Sequence, residues 1–180
     1  RLYSYLRLES LEDKAGEVLD LLADMVGNAS FPSREIDEVR GEMKDYIAFR
    51  DASPGSLAAR LQAERLYGPG ALAEDVLGRE ETLESITRED LLSFREGYFT
   101  GRNVILSVVG GMAPGEAIDL VAPLFAGLPP GGPLPGVVLA PTPSSEPLGR
   151  ELGKPQGALV VGAVMGPVPE GDRAAMTVVN

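Results

Sequence analysis

The feature that most constrains the fold is a continuous apolar run at residues 103–110, Asn-Val-Ile-Leu-Ser-Val-Val-Gly, which lies between two helical patterns. Its β-branched content and short length favour a strand, and a strand that is apolar on both faces lies in the interior of a sheet. A similar run at residues 2–8 predicts a second strand. We therefore expect an α/β fold, in which helices pack on one side of a sheet that contains residues 103–109.

Helical signals surround these runs. Apolar residues recur at the helical period over residues 11–26, and Thr87-Arg-Glu-Asp90 is a capping box that opens a helix. Pro114 is typical of a first helical position and begins the last helix. Further helices are expected from Ser33 to residue 47, from the break at residues 53–55 to residue 67, and at residues 80–86.

The helix that begins at Ser33 contains the residues that bear most directly on function. Its predicted inward face consists of Ile36, Val39, Met43, Tyr46 and Ile47. We therefore expect Val39 and Tyr46 to be largely buried against neighbouring helices. Glu35 and Glu42 stand seven residues apart, close to two helical turns, so these carboxylates also share a face.

This helix resembles the zinc-site helix of the pitrilysin/insulinase peptidases, the family that includes mitochondrial processing peptidase. The family frame, roughly Phe-x-x-x-Glu-Ile-x-x-Glu-Arg-x-x-x-x-x-Glu-Ile, matches at Phe31, Glu35, Ile36, Arg40 and Ile47. A second family pattern matches in order at Thr87, Asp90, Leu91, Phe94, Tyr98, Asn103 and, offset by one residue, Gly110–Gly111. The resemblance covers essentially the whole chain. It implies two-layer α+β sandwich halves, in which helices pack on one face of a mixed sheet.

In that register the two family Glu positions, the second of which binds zinc, hold Val39 and Tyr46. A zinc ligand must donate a lone pair from oxygen, nitrogen or sulfur, and valine has none, while a tyrosine phenol is a poor ligand at neutral pH. The resemblance therefore implies that this chain has lost its catalytic and metal-binding residues, and that zinc belongs to active family members. A less favoured register uses Glu35 and Glu42 but loses two frame matches, and solvated carboxylates early in a helix are the simpler interpretation.

Composition agrees with this loss. The chain has no histidine and no cysteine, so of the ligands that build protein zinc sites only carboxylates and backbone oxygens remain, a set better suited to calcium or magnesium. No general-base histidine and no Ser–His or Cys–His nucleophile can be assembled. The family's His-x-x-Glu-His motif is also absent, although the chain begins at Arg1 without a methionine and we expect a piece of a longer protein. The net charge of −11 argues against a nucleic-acid partner, and no run approaches the ~20 apolar residues of a membrane span.

A proline-rich stretch suggests the domain organisation. Residues 129–147 contain seven prolines, which is the composition of a semi-rigid linker. We expect residues 1–128 to be the latter part of a first pitrilysin-type half and residues 129–153 to be the linker. Residues 154–180 then supply the opening strand of a second half, a Gly-Pro turn at residues 166–167 and a helix from Asp172.

The function that the resemblance implies is that of a non-catalytic domain or subunit of a pitrilysin-type metallopeptidase, forming part of the peptide-binding chamber and supporting an active partner. Its partners would be an active homologue or a second copy of itself, together with peptide substrates. Two alternatives stay open: an active zinc endopeptidase with ligands outside this chain, and a purely structural homologue like the family's core subunits in a respiratory complex. The resemblance leaves the compartment open between the bacterial cytoplasm and periplasm.

Overall fold

The computed structural model describes residues 3–68, 72–133, 144–164 and 169–172 of the 180-residue chain. The α-helices in this part are α1 (Ala15–Asn28), α2 (Ser33–Asp51), α3 (Pro54–Tyr67), α4 (Glu80–Ser85), α5 (Arg88–Tyr98) and α6 (Pro114–Phe125). Single 3₁₀ turns lie at Glu12–Lys14 and Glu170–Asp172. The helices predicted from the sequence up to residue 125 are thus confirmed. Within the described ranges, none of them is both long and apolar enough to cross a bilayer.

The expected sheet is absent from the described residues, so the prediction of an α/β fold with a mixed sheet was wrong. In residues 103–109 the N–H groups of Asn103 and Val104 both donate to the carbonyl of Thr100, which makes a turn, and the rest is irregular. Ile105 and Val109 are 92% and 98% exposed. A strand requires a neighbour to receive its backbone hydrogen bonds, and β-branched composition cannot supply that neighbour. Residues 3–8 and the described part of the strand expected after residue 154 are irregular for the same reason.

Two compact units make up the described chain, and unit 1 comprises Arg1–Met43 and Glu80–Val137. In unit 1, α1 packs on α6, and α1 buries Leu19 and Val26. Burying an apolar side chain of this size stabilises the folded state by roughly 1.5–3 kcal/mol. The helical period of the sequence therefore does identify residues that this unit buries.

The connection from α1 to α2 is held by arginines of α5. Arg95 Nη1 donates to the carbonyl of Ala29 at 2.7 Å, and Arg88 Nη2 donates to that of Ser30 at 2.8 Å. Hydrogen bonds from a charged donor are the stronger kind, so these contacts fix the chain where it turns into α2. Phe31, the first residue of the family frame, has a positive φ of 46° at this turn.

The capping box predicted at the start of α5 is present. Asp90 N donates to Thr87 Oγ1 at 3.2 Å, and Thr87 N donates to Asp90 Oδ2 at 2.8 Å. The hydrogen bonds from the Thr87 side chain and backbone hold the pKa of the Asp90 carboxyl below its ordinary value. Both partners lie within four residues, which is why the sequence alone was enough to predict this box.

Unit 2 comprises Lys44–Arg79 and Val138–Asn180. Ser53 caps α3 by accepting a hydrogen bond from Ser56 N at 3.4 Å, and Pro54 takes the first helical position. Leu57 of α3 is buried. The later segment is tied back to this helix region, because Ser144 N donates to the carbonyl of Arg65 at 3.0 Å and Lys154 Nζ donates to that of Ala52.

The domain boundaries at residues 128 and 153 stay predictions. Each of the two units is built from two separated stretches of sequence. The division predicted from the sequence instead consists of consecutive segments. Residues 134–143 of the expected linker, the expected Gly-Pro turn at residues 166–167 and the expected helix beyond Asp172 lie outside the described residues.

Candidate functional site

The helix α2 carries the positions where the pitrilysin frame places its carboxylates. Glu35, Val39, Glu42 and Tyr46 follow one another at intervals of four, three and four residues, so they form one face of the helix. We call these four residues the α2 outer face. Val39 is 51% exposed and Tyr46 is 61% exposed, and both glutamates are exposed. The expectation that Val39 and Tyr46 are buried was therefore wrong.

The reason is that the inward face of α2 is centred on an arginine. Arg40 Nη2 donates to the carbonyl of Ile86 at 2.9 Å, and Arg40 Nε donates to that of Leu83 at 3.4 Å. Ile47, seven residues after Arg40, is buried. Hydrophobic periodicity places an arginine on the solvent side of a helix. Its long stem can nevertheless pack inward while its guanidinium donates hydrogen bonds to backbone carbonyls. This arrangement turns Val39 and Tyr46 about 100° away from the packed side.

The residues of the α2 outer face do not fit a zinc ion. Val39 has no donor atom, and Glu35 and Glu42 lie about 10.5 Å apart along the helix axis, whereas zinc–oxygen bonds are about 2.0–2.2 Å long. Among the described residues, no three side chains of His, Cys, Asp or Glu come together as a metal site.

An ionic cluster lies at the C-terminal end of α2, in unit 2. Arg50 Nε contacts Asp51 Oδ1 at 2.9 Å, and Arg50 Nη1 contacts Asp75 Oδ1 at 3.0 Å and donates to the carbonyl of Gly78 at 3.1 Å. The hydrogen bond from Arg50, opposed by partial burial, leaves the pKa of Asp51 below its ordinary value. The same hydrogen bond raises the pKa of Arg50.

This cluster has a structural role. A general acid or base works best with a pKa near the working pH, and Arg50 moves the Asp51 carboxyl further from neutrality. The guanidinium connects the end of α2 to residues 75–78. Sequence reasoning missed the cluster because Asp75 is 25 residues distant and lies in a loop, where no periodic pattern marks its partner.

Each unit also contains an open cavity. In unit 1 a cleft of about 580 Å³ lies among α1, α5 and α6, and its carboxylates are Glu17, Asp20, Asp24 and Glu96. In unit 2 a groove of about 630 Å³ runs between α3 and residues 144–162. We call the second cavity the α3 groove. Its lining includes Leu61, Arg65 and Leu66 of α3 and Leu148 and Lys154 of the facing segment.

The family frame at α2 and the pattern at α5 agree with comparisons to known proteins. A family model described as the Peptidase M16 inactive domain matches residues 85–180, more than half of the chain. This chain belongs to the Peptidase M16 inactive domain family. A solved M16 inactive domain from Pseudomonas fluorescens superposes with a TM-score of 0.65 at 28% identity, covering 72% of this chain and 31% of that one.

The M16 inactive domain also has relatives among named peptidases. It is 29% identical over 103 residues to the uncharacterized zinc protease YmxG of Bacillus subtilis, which covers 57% of this chain and 25% of that protein. It is 25% identical to the mitochondrial-processing peptidase subunit alpha-1 of Dictyostelium discoideum (68% of this chain, 19% of that protein). It is 26% identical to the human beta subunit (57% and 21%). The chain thus spans less than a third of each relative.

These findings confirm the pitrilysin/insulinase resemblance and identify the chain as a non-catalytic domain of that type. The names of the relatives place zinc in active members of the family. The register that places Val39 and Tyr46 at the family's ligand positions, and the less favoured use of Glu35 and Glu42, both stay predictions. Two residues of the family frame lie on the packed side of α2 and hold the helix in place. Arg40 does so by its hydrogen bond to the carbonyl of Ile86, and Ile47 by its burial.

Proposed function

We propose that this M16 inactive domain forms part of the wall of a peptide-binding chamber and supports proteolysis by an active partner. The observation that carries the proposal is the α2 outer face, where Val39 and Tyr46 are accessible but offer no metal ligand set. An accessible side chain can contact a peptide. Without a bound metal, however, this face cannot lower the pKa of a water molecule or polarise a peptide carbonyl as an active metallopeptidase does.

The partner that we propose is an active homologue. A second copy of this chain is the alternative partner, and it would enclose the peptide without cleaving it, because it has no histidine either. Two of the relatives are named as the alpha and beta subunits of mitochondrial-processing peptidase. A two-subunit organisation of this kind lets one chain supply the zinc and the general base while the other encloses the substrate. This division of roles agrees with a chain that contains no histidine.

The test measures turnover of a long and a short peptide by an active homologue that carries His-x-x-Glu-His, with and without this chain. A chamber wall contacts only a peptide long enough to reach it. We therefore expect the chain to raise kcat/KM for a peptide of about 20 residues, an extended length of about 66–72 Å, and to leave that for a five-residue peptide unchanged. Equal effects on both peptides, or no complex on gel filtration, would refute the proposal.

A control variant tests whether this chain itself can cleave a peptide or only contacts it. Val39→Glu combined with Tyr46→Glu restores the two family carboxylates, yet the purified chain should remain inactive because it has no histidine to complete a zinc site. The unmodified chain alone should likewise show no peptidase activity that a chelator abolishes. Chelator-sensitive cleavage by either purified protein would favour the alternative of an active zinc peptidase.

A further inference from the structure

The chain enters α2 through a residue in a strained conformation. Phe31 has a φ of 46°, and among the described residues no other non-glycine residue has a positive φ. A bulky L-residue avoids this left-handed region because its Cβ crowds the neighbouring backbone. Such strain persists only where surrounding contacts hold it, and it is concentrated at functional sites. Contacts from elsewhere in unit 1 must therefore hold Phe31 in this conformation.

Arg88, the first residue of α5, supplies those contacts. Its Nε donates to the carbonyl of Ser30 at 3.0 Å and to that of Phe31 at 3.1 Å, and its Nη2 donates to Ser30 again at 2.8 Å. The φ and ψ rotations of Phe31 set the angle between these two carbonyls. A guanidinium that binds both carbonyls therefore fixes both rotations, and its rigid, planar set of N–H donors suits it to do so.

Pro32 transmits the conformation of Phe31 to α2. The proline ring fixes the φ of Pro32 near about −65°, so this residue cannot absorb a rotation at Phe31. Its carbonyl accepts a helical hydrogen bond from Ile36 N at 3.0 Å. If the φ of Phe31 changed from 46° to an ordinary value of about −65°, the chain after its N–Cα bond would turn by about 110° unless ψ compensated. The direction of α2 thus depends on Phe31.

A second anchor lies farther along α2, where Arg40 donates to two backbone carbonyls within residues 83–86. Glu35 and Val39 of the α2 outer face lie between the two anchors. If the contacts of Arg88 are lost, α2 keeps its anchor at Arg40 while its N-terminal end is released. The helix then swings about Arg40, and Glu35 moves farther than Val39 because it lies farther from the pivot.

The helix that contains Arg88 does not itself explain this residue. A cation at the first position of a helix opposes the positive end of the macrodipole, so α5 gains no stability from it. We propose that Arg88 is a positioning residue for the α2 outer face: by holding Phe31 in its left-handed conformation, it sets the direction in which Glu35 and Val39 are presented. The contact of this face with a peptide rests on the proposed function, whereas the orientation of α2 does not.

Pairs of spin labels on the full chain test this orientation. Because the chain contains no cysteine, labels attach only where one is introduced. Arg34→Cys lies between the anchors and Gly41→Cys lies beside Arg40, and each is paired with Ser93→Cys on α5; all three positions are exposed. A swing of about 20° about Arg40 moves residue 34, about 9 Å away along the helix, by about 3 Å. Double electron–electron resonance measures the distance between the two labels of each pair.

Arg88→Met keeps the apolar stem and removes the donors. It should shift the mean distance between labels at residues 34 and 93 by about 3 Å or more, and leave that between residues 41 and 93 unchanged. Arg102→Met, at an exposed arginine beyond α5, is the matched control and should leave both distances unchanged. If circular dichroism shows that Arg88→Met is unfolded, Arg88→Lys decides the question, because it loses the fork and should broaden the first distance distribution alone.

Phe31→Gly tests whether strain drives the swing. Glycine adopts a positive φ without steric cost, so Phe31→Gly by itself should preserve both distances. Combined with Arg88→Met, it removes the strain that turns the helix away, and the distance between residues 34 and 93 should return towards that of the unmodified chain. An equal shift with and without Phe31→Gly would overturn the role assigned to Phe31.

Turnover of the long peptide by the active homologue then connects orientation with function. Arg88→Met should raise KM for the long peptide severalfold and leave kcat unchanged, as expected when binding is lost outside the reacting centre. A chain that is only less stable would lower the amount of complex and hence kcat.

The two measurements separate the inference from the proposed function. An unchanged distance between residues 34 and 93 in Arg88→Met, or an unchanged distribution in Arg88→Lys, would overturn the positioning role. A shifted distance with an unchanged KM would support the positioning role and contradict the proposed function, because the displaced face would then make no contact with the peptide.

Discussion

Substituting Gly131 by alanine tests how unit 1 closes the end of α6 against the turn at residue 100. Gly131 has a φ of +72°, and a Cβ built there would lie 2.5 Å from the Cβ of Thr100 and closer still to its Oγ1. Thr100 is buried, and its neighbour Gly101 donates its N–H to the carbonyl of Pro129 at 2.8 Å. Neither side of this contact can move freely, so Gly131→Ala should be destabilising.

Two separable effects determine how much Gly131→Ala lowers the free energy of unfolding. A left-handed conformation costs an L-residue roughly 1–2 kcal/mol, offset by about 0.4–1 kcal/mol because alanine restricts the unfolded chain. Gly153→Ala isolates this part, since Gly153 has a φ of +63° and no atom within 4 Å of its added Cβ. Overpacking against Thr100 adds roughly 1–3 kcal/mol at Gly131 alone. Gly132→Ala meets neither problem and should stay within about 0.5 kcal/mol of the parent.

The assay is urea unfolding followed by far-ultraviolet circular dichroism, with the slope m compared among variants. At an m of about 2 kcal/mol per molar urea, the extra 1–3 kcal/mol lowers the midpoint of Gly131→Ala by roughly 0.5–1.5 M relative to Gly153→Ala. Thr100→Gly in the Gly131→Ala background removes the clashing atoms and should recover part of the loss. If Gly131→Ala is no more destabilising than Gly153→Ala, the close approach to Thr100 does not exist in the folded protein.

Further predictions concern the ionic cluster, the α2 outer face and metal content. Because Arg50 lowers the native pKa of Asp51, this carboxylate adds stability above the ordinary aspartate pKa near 4. That contribution is lost as the pH falls through the lower native value. Asp51→Asn should therefore reduce the free energy of unfolding at pH 7 by at most about 1 kcal/mol, as expected for a partly exposed pair. Measured by urea unfolding, the difference between the two proteins should disappear towards pH 2, and a difference that grows in acid would reverse the assigned sign. Val39→Ala and Tyr46→Ala should each change the free energy of unfolding by about 0.5 kcal/mol or less, as expected at an exposed site, and a loss of several kcal/mol would place them in a core. Elemental analysis of the dialysed chain should find well below one zinc per chain, and about one per chain would contradict the assigned loss of ligands.

The limits of sequence reasoning are clearest on α2. The beginning of the helix at Ser33 and its amphipathic period were predictable, because propensity and spacing are local properties. Which side faces inward was not predictable, because Arg40 is a packed residue only where the carbonyls of Leu83 and Ile86 lie within its reach. Those carbonyls are more than 40 residues away in sequence. The helix was therefore predicted correctly, but the exposure of Val39 and Tyr46 on it was not.

The sequence by itself determined the six helices among the described residues, the capping box at Thr87 and the absence of histidine and cysteine ligands. Each of these depends on residue type or on partners within one or two helical turns. Tertiary structure alone decided that the run at residues 103–109 has no neighbouring strand in the part of the chain that the structure describes, and that Arg50 pairs with Asp75. It also decided that the Nε–H of Arg65 lies buried without a hydrogen-bond partner among the described residues. Hydrogen bonds and ion pairs between distant segments depend on where the chain brings their partners, and no local pattern of residues specifies that position.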